Sequence, residues 1–484
     1  MATRKSTKAA AAGGVKAWKR EQGWDRLGTE GEAALEAYCR DYVDYLSRAK
    51  TERLAHDLAL EAARQAGFVD VEQLARDGKS LQPGDRVYRS CWGKTLFVAQ
   101  IGRAPLEGGL NLVGSHIDSP RLDAKPCPLY EDDSLVLLDT HYYGGIKKYQ
   151  WVTLPLALHG VVYRRDGSKV ELHLGDEPGD PVFMITDLLP HLGADQSTKP
   201  LGQAFKGDDL NVLLASRPVP AADDADKDFK ERTRLSVLRL LRDRYGIEEE
   251  DFASAEIEVV PAGPARELGL DRSMVVGYGQ DDRVCAYAAL RAVIDEHDIP
   301  ERTRAAVICD KEEIGSYGQT GMDSTFMENT VAELVALQDP KAGSLAVRRC
   351  LERSKMISGD VCALHDPQFG EVSSPHNMAK LNCGIALCKY TGARGKSGSS
   401  DASAEFVSQV RRCLNDAGVV WQMTELGKVD VGGGGTIAHY LARYGMSVID
   451  CGVGLFNMHA PYEIAGKLDI YMGYRAYRAF LDID

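Results

Sequence analysis

Short apolar runs that finish on a residue able to hold a metal or move a proton recur along this chain, and they restrict its folding more than any other feature. Residues 110–113, mostly apolar, run through Gly114 and Ser115 to His116, and the compact apolar run 305–309 is followed at once by Asp310. Runs of this length, bounded by polar punctuation, read as buried strands, and a strand that delivers a functional residue at its carboxyl end belongs to an open α/β sheet. Helix-period stretches surround them. Between Glu30 and about Gln73, Ala34, Leu35, Tyr38, Tyr42, Leu46, Leu58, Ala62 and Ala63 recur at three- and four-residue spacing, and Val284, Ala288 and Ala292 align on a helix that Asp298 and Pro300 end. Ser400 or Asp401 is expected to cap another helix, with Ala404, Val407, Val410 and Leu414 on one face and Gly418 past its end. Residues 419–421 and 447–451 read as two further strands.

The texture changes between about Cys127 and Ala262. Strand-like pieces at 134–138, 149–158 and 169–174 are separated by Gly, Asp and Pro, with one charged helix-like stretch from Asp226 to Tyr245. The pattern therefore predicts a parallel-rich sheet covered by helices, built from residues 26–126 and 262–484 and interrupted by a smaller β-rich unit at 127–261. Residues 1–25, basic and rich in Ala and Gly, read as a flexible tail.

Acidic side chains outnumber basic ones by 71 to 58, a formal charge of -13 that repels a phosphate backbone and argues against nucleic-acid binding. No stretch approaches the roughly 18 to 20 apolar residues of a membrane span. Eleven cysteines, an odd count spread from Cys39 to Cys451 without a C-x-x-C pair, fit a reducing compartment, so a cytoplasmic protein is expected.

Five segments concentrate His, Asp and Glu where strands finish: Ser115-His116-Ile117-Asp118, Gly279-Gln280-Asp281-Asp282, Asp310-Lys311-Glu312-Glu313, Ser358-Gly359-Asp360 and Met458-His459-Ala460. Taken singly, each has an ordinary structural explanation. His116 reads equally as a core histidine, Asp118 as a turn former before Pro120, and Asp281 or Asp282 as a helix N-cap. Adjacent Glu312 and Glu313 are harder to explain so, because two ionised carboxylates side by side need a compensating positive charge. Carboxylate oxygens with imidazole nitrogens suit Zn²⁺, Mn²⁺ or Co²⁺, and a catalytic metal centre accounts for all five segments together. Competing motifs fail on spacing. Gly392-Ala393-Arg394-Gly395-Lys396-Ser397 has Tyr390 where a phosphate loop needs its first glycine, Gly432 to Gly435 lack the dinucleotide signature, and Gly395-Lys396-Ser397-Gly398-Ser399 lacks the closing glycine of a nucleophile elbow.

With Ser119-Pro120-Arg121 after the first segment, Arg283 after the second, Ile314-Gly315-Ser316 after the third and Pro461 after the last, these strings resemble the aspartyl aminopeptidase / vacuolar aminopeptidase I family of dinuclear-zinc metalloaminopeptidases, in its bacterial type. The resemblance runs from about Leu110 to Ile464 and keeps the family's motif order. It implies a three-layer α/β/α proteolytic domain, an inserted β-rich dimerisation domain, and dimers assembling into a tetrahedral dodecamer. It also implies two Zn²⁺ per subunit: Asp281 bridging them, His116 and Asp360 completing one, Glu313 and His459 the other. Glu312 would then be the general base and Asp118 the residue orienting His116.

A peptide substrate with an acidic first residue would need a cation, which Lys389, Arg394 or Lys396 in a glycine-punctuated segment would supply. Acidic-residue-specific relatives carry a histidine soon after the Asp360 position, whereas Val361, Cys362, Ala363 and Leu364 stand here before His365. The expected activity is removal of amino-terminal residues from peptides. The alternatives are a deacylase or dipeptidase on the same metal scaffold, or a scaffold protein that has kept the fold without the activity.

Overall fold

Alternate residues of a strand point to opposite faces, and in the central strands of this protein both sets are apolar, so both faces must be covered. In the computed structural model, which describes residues 18–220, 231–392 and 395–483, Leu112, Ala305, Val307, Met356 and Val448 pack into one core. Their neighbours Val113, Ala306, Ile308, Ile357 and Ile449 pack into a second core on the far side of the same sheet. Helices Thr29–Arg48, Glu52–Gln65, Gln280–Ile294, Ala404–Asp416 and Lys467–Leu481 close the second core, and Val71–Arg76, Phe326–Gln338, Ser344–Arg353 and Ala438–Ala442 close the first. The result is a three-layer α/β/α arrangement. Each fully buried Val, Leu or Ile contributes roughly 1.5–3 kcal/mol by leaving water.

The sheet has nine strands in the order Val69–Asp70, Arg86–Cys91, Thr95–Gln100, Arg304–Cys309, Asn111–His116, Lys355–Ser358, Ser447–Gly452, Ile385–Cys388 and Trp421–Thr424. The four from Arg304–Cys309 to Ser447–Gly452 run parallel, with Cys309 opposite His116 and Ser358 opposite Gly114. Their carboxyl ends therefore lie side by side, and the residues that follow, from His116 and Asp310 to Asp360, emerge along one edge. Helix Gln280–Ile294, buried along nearly its whole length, packs on this sheet through small residues such as Ala286, Ala288, Ala289 and Ala292.

Residues 121–261 contribute a separate antiparallel sheet, ordered Lys169–Leu174, Leu156–Tyr163, Ala255–Pro261, Arg121–Asp132, Leu135–Tyr143 and Val212–Ala215. It has its own core, including Leu122, Val136, Trp151, Val162, Val212 and Val259. A third, small sheet joins Arg266–Leu268, Met274–Gly277, Glu463–Gly466, Gly454–Phe456 and Cys362–Ala363, and brings the segments leading to Asp281 and His459 together.

Several local expectations shift. Residues 149–158 are not one strand: a turn at Lys148–Gln150 precedes Leu156–Tyr163, because Pro155 has no N–H for a ladder, while Trp151, Val152 and Leu154 still pack into the second sheet's core. Ser403, rather than Ser400 or Asp401, caps Ala404–Asp416 by accepting from the Phe406 N–H. Residues 419 and 420 precede the strand Trp421–Thr424, and the charged helix is Arg232–Tyr245, residues 226–230 lying outside the described residues. Of the expected tail, residues 1–17 also lie outside them. From Trp18 the chain is seated on the large domain: the Trp18 ring is 6.2 Å from that of Trp421, and the Gly23 N–H donates to the Asn382 carbonyl at 2.8 Å. Among the described residues no helix is long and apolar enough to cross a membrane.

Candidate metal centre

His116 ends its strand fully buried, and its two ring nitrogens are divided between two carboxylates. Nδ1 lies 3.1 Å from the Asp118 carbonyl and 3.3 Å from Asp118 Oδ1, while Nε2 faces Asp281 Oδ1 at 3.3 Å. A carbonyl can only accept, so Nδ1 carries the proton and Nε2 is left for a ligand. His459 repeats the arrangement from the far side. Its Nδ1 donates to the Gly145 carbonyl at 2.9 Å, and its Nε2 stands 3.3 Å from Asp281 Oδ2 and 3.5 Å from Glu313 Oε2. Asp281 thus presents one oxygen to each imidazole.

Asp360 Oδ1 and Glu312 Oε2 approach His116 Nε2 at 3.9 and 4.0 Å. Ligand atoms of His116, Asp281 and Glu313 lie within 4.8 Å of one another, and so do those of His116, Glu312 and Asp360. Glu313 Oε1 is buried without a hydrogen-bond partner. Four carboxylates gathered around two imidazoles, one with an orphaned oxygen, make a donor set that a divalent cation would complete and hydrogen bonds alone do not.

The electrostatics agree. Burial pushes Glu312 up to about 7, with the negative charges of Asp118 and Asp281 adding to it. Burial likewise raises Glu313 and Asp360, each further lifted by neighbouring carboxylates. Burial lowers His459, but its hydrogen bond to Asp281 and the charge of Glu313 outweigh this and push it up to about 10. Asp281 is held well below the usual carboxylate range, because its bonds to His116 and His459 overcome its burial. Without a cation, the imidazoles carry the compensating charge.

Two buried carboxylates outside the donor set hold the backbone. Asp118 accepts from the Glu312 N–H and the Glu313 N–H, both at 3.1 Å, and Glu463 accepts from the Asp281 N–H at 3.0 Å and the His459 N–H at 2.8 Å. Asp281 and Asp282 are not N-caps: Gly279, at φ 75°, occupies the cap without a side-chain bond, and both aspartates depart from helical dihedrals. The centre opens into a cavity of about 450 Å³ whose further walls include Glu425, Gly433, Gly434, Thr436, Tyr440 and Asp450.

The model of the family described as "Aminopeptidase I zinc metalloprotease (M18)" matches residues 45–481. The chain belongs to the M18 aminopeptidase family. As a member it is a zinc metalloaminopeptidase, a hydrolase acting on peptide bonds, which decides against the deacylase, dipeptidase and inactive-scaffold alternatives. A protein of Clostridium acetobutylicum named "Probable M18 family aminopeptidase 1" is 47% identical over 459 residues, 95% of this chain and 97% of that protein. A namesake from Thermotoga maritima is 46% identical over 448 residues, 93% of this chain and 96% of that one. Among solved structures, an M18 aminopeptidase from Thermotoga maritima superposes with a TM-score of 0.90 at 44% identity, covering 97% of this chain and all of that one. Aminopeptidase I from Clostridium acetobutylicum superposes at 0.89, also with 44% identity, over 96% of this chain and all of that one.

In this M18 aminopeptidase His116, Asp118, Asp281, Glu312, Glu313, Asp360 and His459 converge, whereas Lys389 and Lys396 stand apart. Both lysines reach Asp401, at 2.6 and 3.2 Å, with Lys396 also 3.8 Å from the Tyr390 ring centroid, and neither lines the cavity. Arg394 lies outside the described residues. Glu463 was missed, and its one local signal is its place four residues after His459 on a strand otherwise apolar or small.

Proposed function

We propose that this enzyme holds two zinc ions between His116, Asp281 and Asp360 on one side and Asp281, Glu313 and His459 on the other, with Glu312 as general acid/base. The observation that carries the proposal is Asp281, whose two oxygens face Nε2 of the two imidazoles at 3.3 Å each. Zinc held there would polarise the scissile carbonyl and lower the pKa of a nearby water to about 7. The chain's own part is to orient both imidazoles, to hold Glu312 on the Asp118 carboxylate, and to move the proton. Glu312 faces His116 with its backbone N–H held on Asp118, and a carboxyl pushed up to about 7 suits it to taking a proton at Oε2 and returning it to the leaving amine.

The preferred first residue is not an acidic one. Among the described residues no Lys or Arg lines the cavity, and Glu425 and Asp450 would repel a second carboxylate. The eleven cysteines are all free, which supports a reducing, cytoplasmic setting. Val182, Leu188, Leu189, Leu192 and Leu201 leave large apolar side chains more than half exposed on the inserted unit, 127–261, which supports its use in dimers. One structural neighbour, at 19% identity, is titled the mApe1 dodecamer of S. cerevisiae; a dodecamer built from such dimers is the assembly proposed here.

Zinc analysis of the purified enzyme, joined to a panel of aminoacyl anilides with Glu312→Gln as control, tests the assignment. Loss of turnover with zinc retained is expected, and full activity in that variant removes Glu312 from the mechanism.

A further inference from the structure

We infer that the turn Tyr143-Gly144-Gly145, at the end of a strand of the inserted sheet, is a strut that positions the metal centre, with Tyr143 acting on Glu312 through Asp118. The inference rests on the roles just proposed for Glu312 and His459. Three contacts carry it. The Tyr143 hydroxyl donates to Asp118 Oδ2 at 2.8 Å. The Gly145 carbonyl accepts from His459 Nδ1 at 2.9 Å and so sets which nitrogen of that ring faces Asp281. Gly144 lies between them at φ 72°, where a β-carbon would stand 3.4 Å from Glu313 Oε2 and 3.4 Å from the Pro120 Cα; a glycine lets the turn close on the glutamate without strain.

Asp118 is the hub. A carboxylate offers about four lone-pair sites, and here each oxygen has two partners: His116 Nδ1 and the Glu312 N–H at Oδ1, the Glu313 N–H and the Tyr143 hydroxyl at Oδ2. The group is fully buried, so removing the hydroxyl leaves a lone pair that water does not reach. The carboxylate then turns toward its remaining donors, and Glu312 and Glu313, both hung on it, move with it.

Tyr143 is itself held. Its cross-strand partner Arg121 lies 3.9 Å from the ring centroid. The Arg121 guanidinium is clamped by Asp123 at 2.7 Å, Glu258 at 3.1 Å and Glu52 at 3.4 Å. Glu52 opens a helix of the large domain, whereas Glu258 belongs to the inserted sheet, so the clamp spans the junction and passes the position of one unit to the catalytic edge of the other.

The test is Tyr143→Phe in the full-length, zinc-loaded enzyme, which keeps the ring on Arg121 and deletes only the hydroxyl. Expected are a kcat about 10- to 100-fold lower, an unchanged KM for an uncharged aminoacyl anilide, and a thermal midpoint lowered by no more than a few degrees, a split that general loosening of the fold would not produce. Combined with Asp118→Asn, the two losses should not multiply, because both act through one carboxylate. Wild-type kcat in Tyr143→Phe, or losses that multiply, overturns the strut. Glu312→Gln run alongside separates the failures: an inactive Glu312→Gln beside a fully active Tyr143→Phe sinks the strut alone, and an active Glu312→Gln sinks the proposed base and the strut with it.

Discussion

Replacing Glu463 by glutamine changes one atom type at the point where the two halves of the metal centre are tied together. The side chain is fully buried, with Oε2 accepting from the Asp281 N–H at 3.0 Å and Oε1 from the His459 N–H at 2.8 Å. Only the ionised carboxylate supplies both acceptors, although burial and then the charge of Asp281 push the group up to about 8. A cation held by Asp281 and His459 would offset that push. Glu463→Gln retains the shape but offers a single carbonyl oxygen, and its amide turns a donor toward one of the two backbone N–H groups. A hydrogen bond to a charged group is worth about 1.5–3 kcal/mol and an unpaired buried donor costs about 1–3 kcal/mol. Taking only the lost bond, about 2 kcal/mol, the zinc-loaded form should weaken about 30-fold in affinity. Competition titration against a chromophoric zinc chelator measures this, with far-UV circular dichroism confirming that the variant is folded. Zinc affinity within about twofold of wild type, a difference of only about 0.4 kcal/mol, would refute the claim that Glu463 sets the spacing of Asp281 and His459.

Metal-stripped protein should lose thermal stability as pH rises from about 5 to 9. Glu312 and Glu463, raised chiefly by burial to about 7 and 8, and His459, raised by Asp281 and Glu313 against its burial to about 10, hold their protons more tightly folded than unfolded. Each contribution is full below the unfolded pKa and gone above the folded one, about 3 kcal/mol for Glu312 alone. A thermal midpoint that climbs across this range would contradict the sign. Ile308→Ala, at a buried position facing the helices around Gln280–Ile294, should cost about 2–5 kcal/mol, and an unchanged denaturation midpoint would mean that this face is not close-packed. Lys389→Ala and Lys396→Ala should leave the ratio of kcat/KM for Asp and Leu substrates unaltered, since both lysines are spent on Asp401. A shift of that ratio would return a cation to the specificity pocket.

The fold was legible where its cause is local. Strands 304–309 and 447–452 and the helix from 280 onward could be read within a residue or a few, because a short apolar run between polar breaks has few other ways to bury itself. His116, Asp310 and Asp360 could be placed at strand ends for the same reason. Where two local signals competed, the nearer context decided. Ser403 capped the helix instead of Ser400 or Asp401, and Pro155 divided what read as one strand.

By itself, then, the sequence determined the layered architecture and the identity of the residues at the strand ends, since periodicity and residue chemistry act over a few positions. Tertiary structure alone decided how those residues meet. Asp281 reaches two histidines 165 and 178 positions away, Tyr143 reaches back to Asp118 from another sheet, and Glu463 joins backbone segments that share no local pattern. It also drew Lys389 and Lys396 onto Asp401, away from the cavity. Hydrogen bonds and ion pairs depend on distances of a few ångströms between side chains, and in a folded chain those distances bear no relation to separation along it.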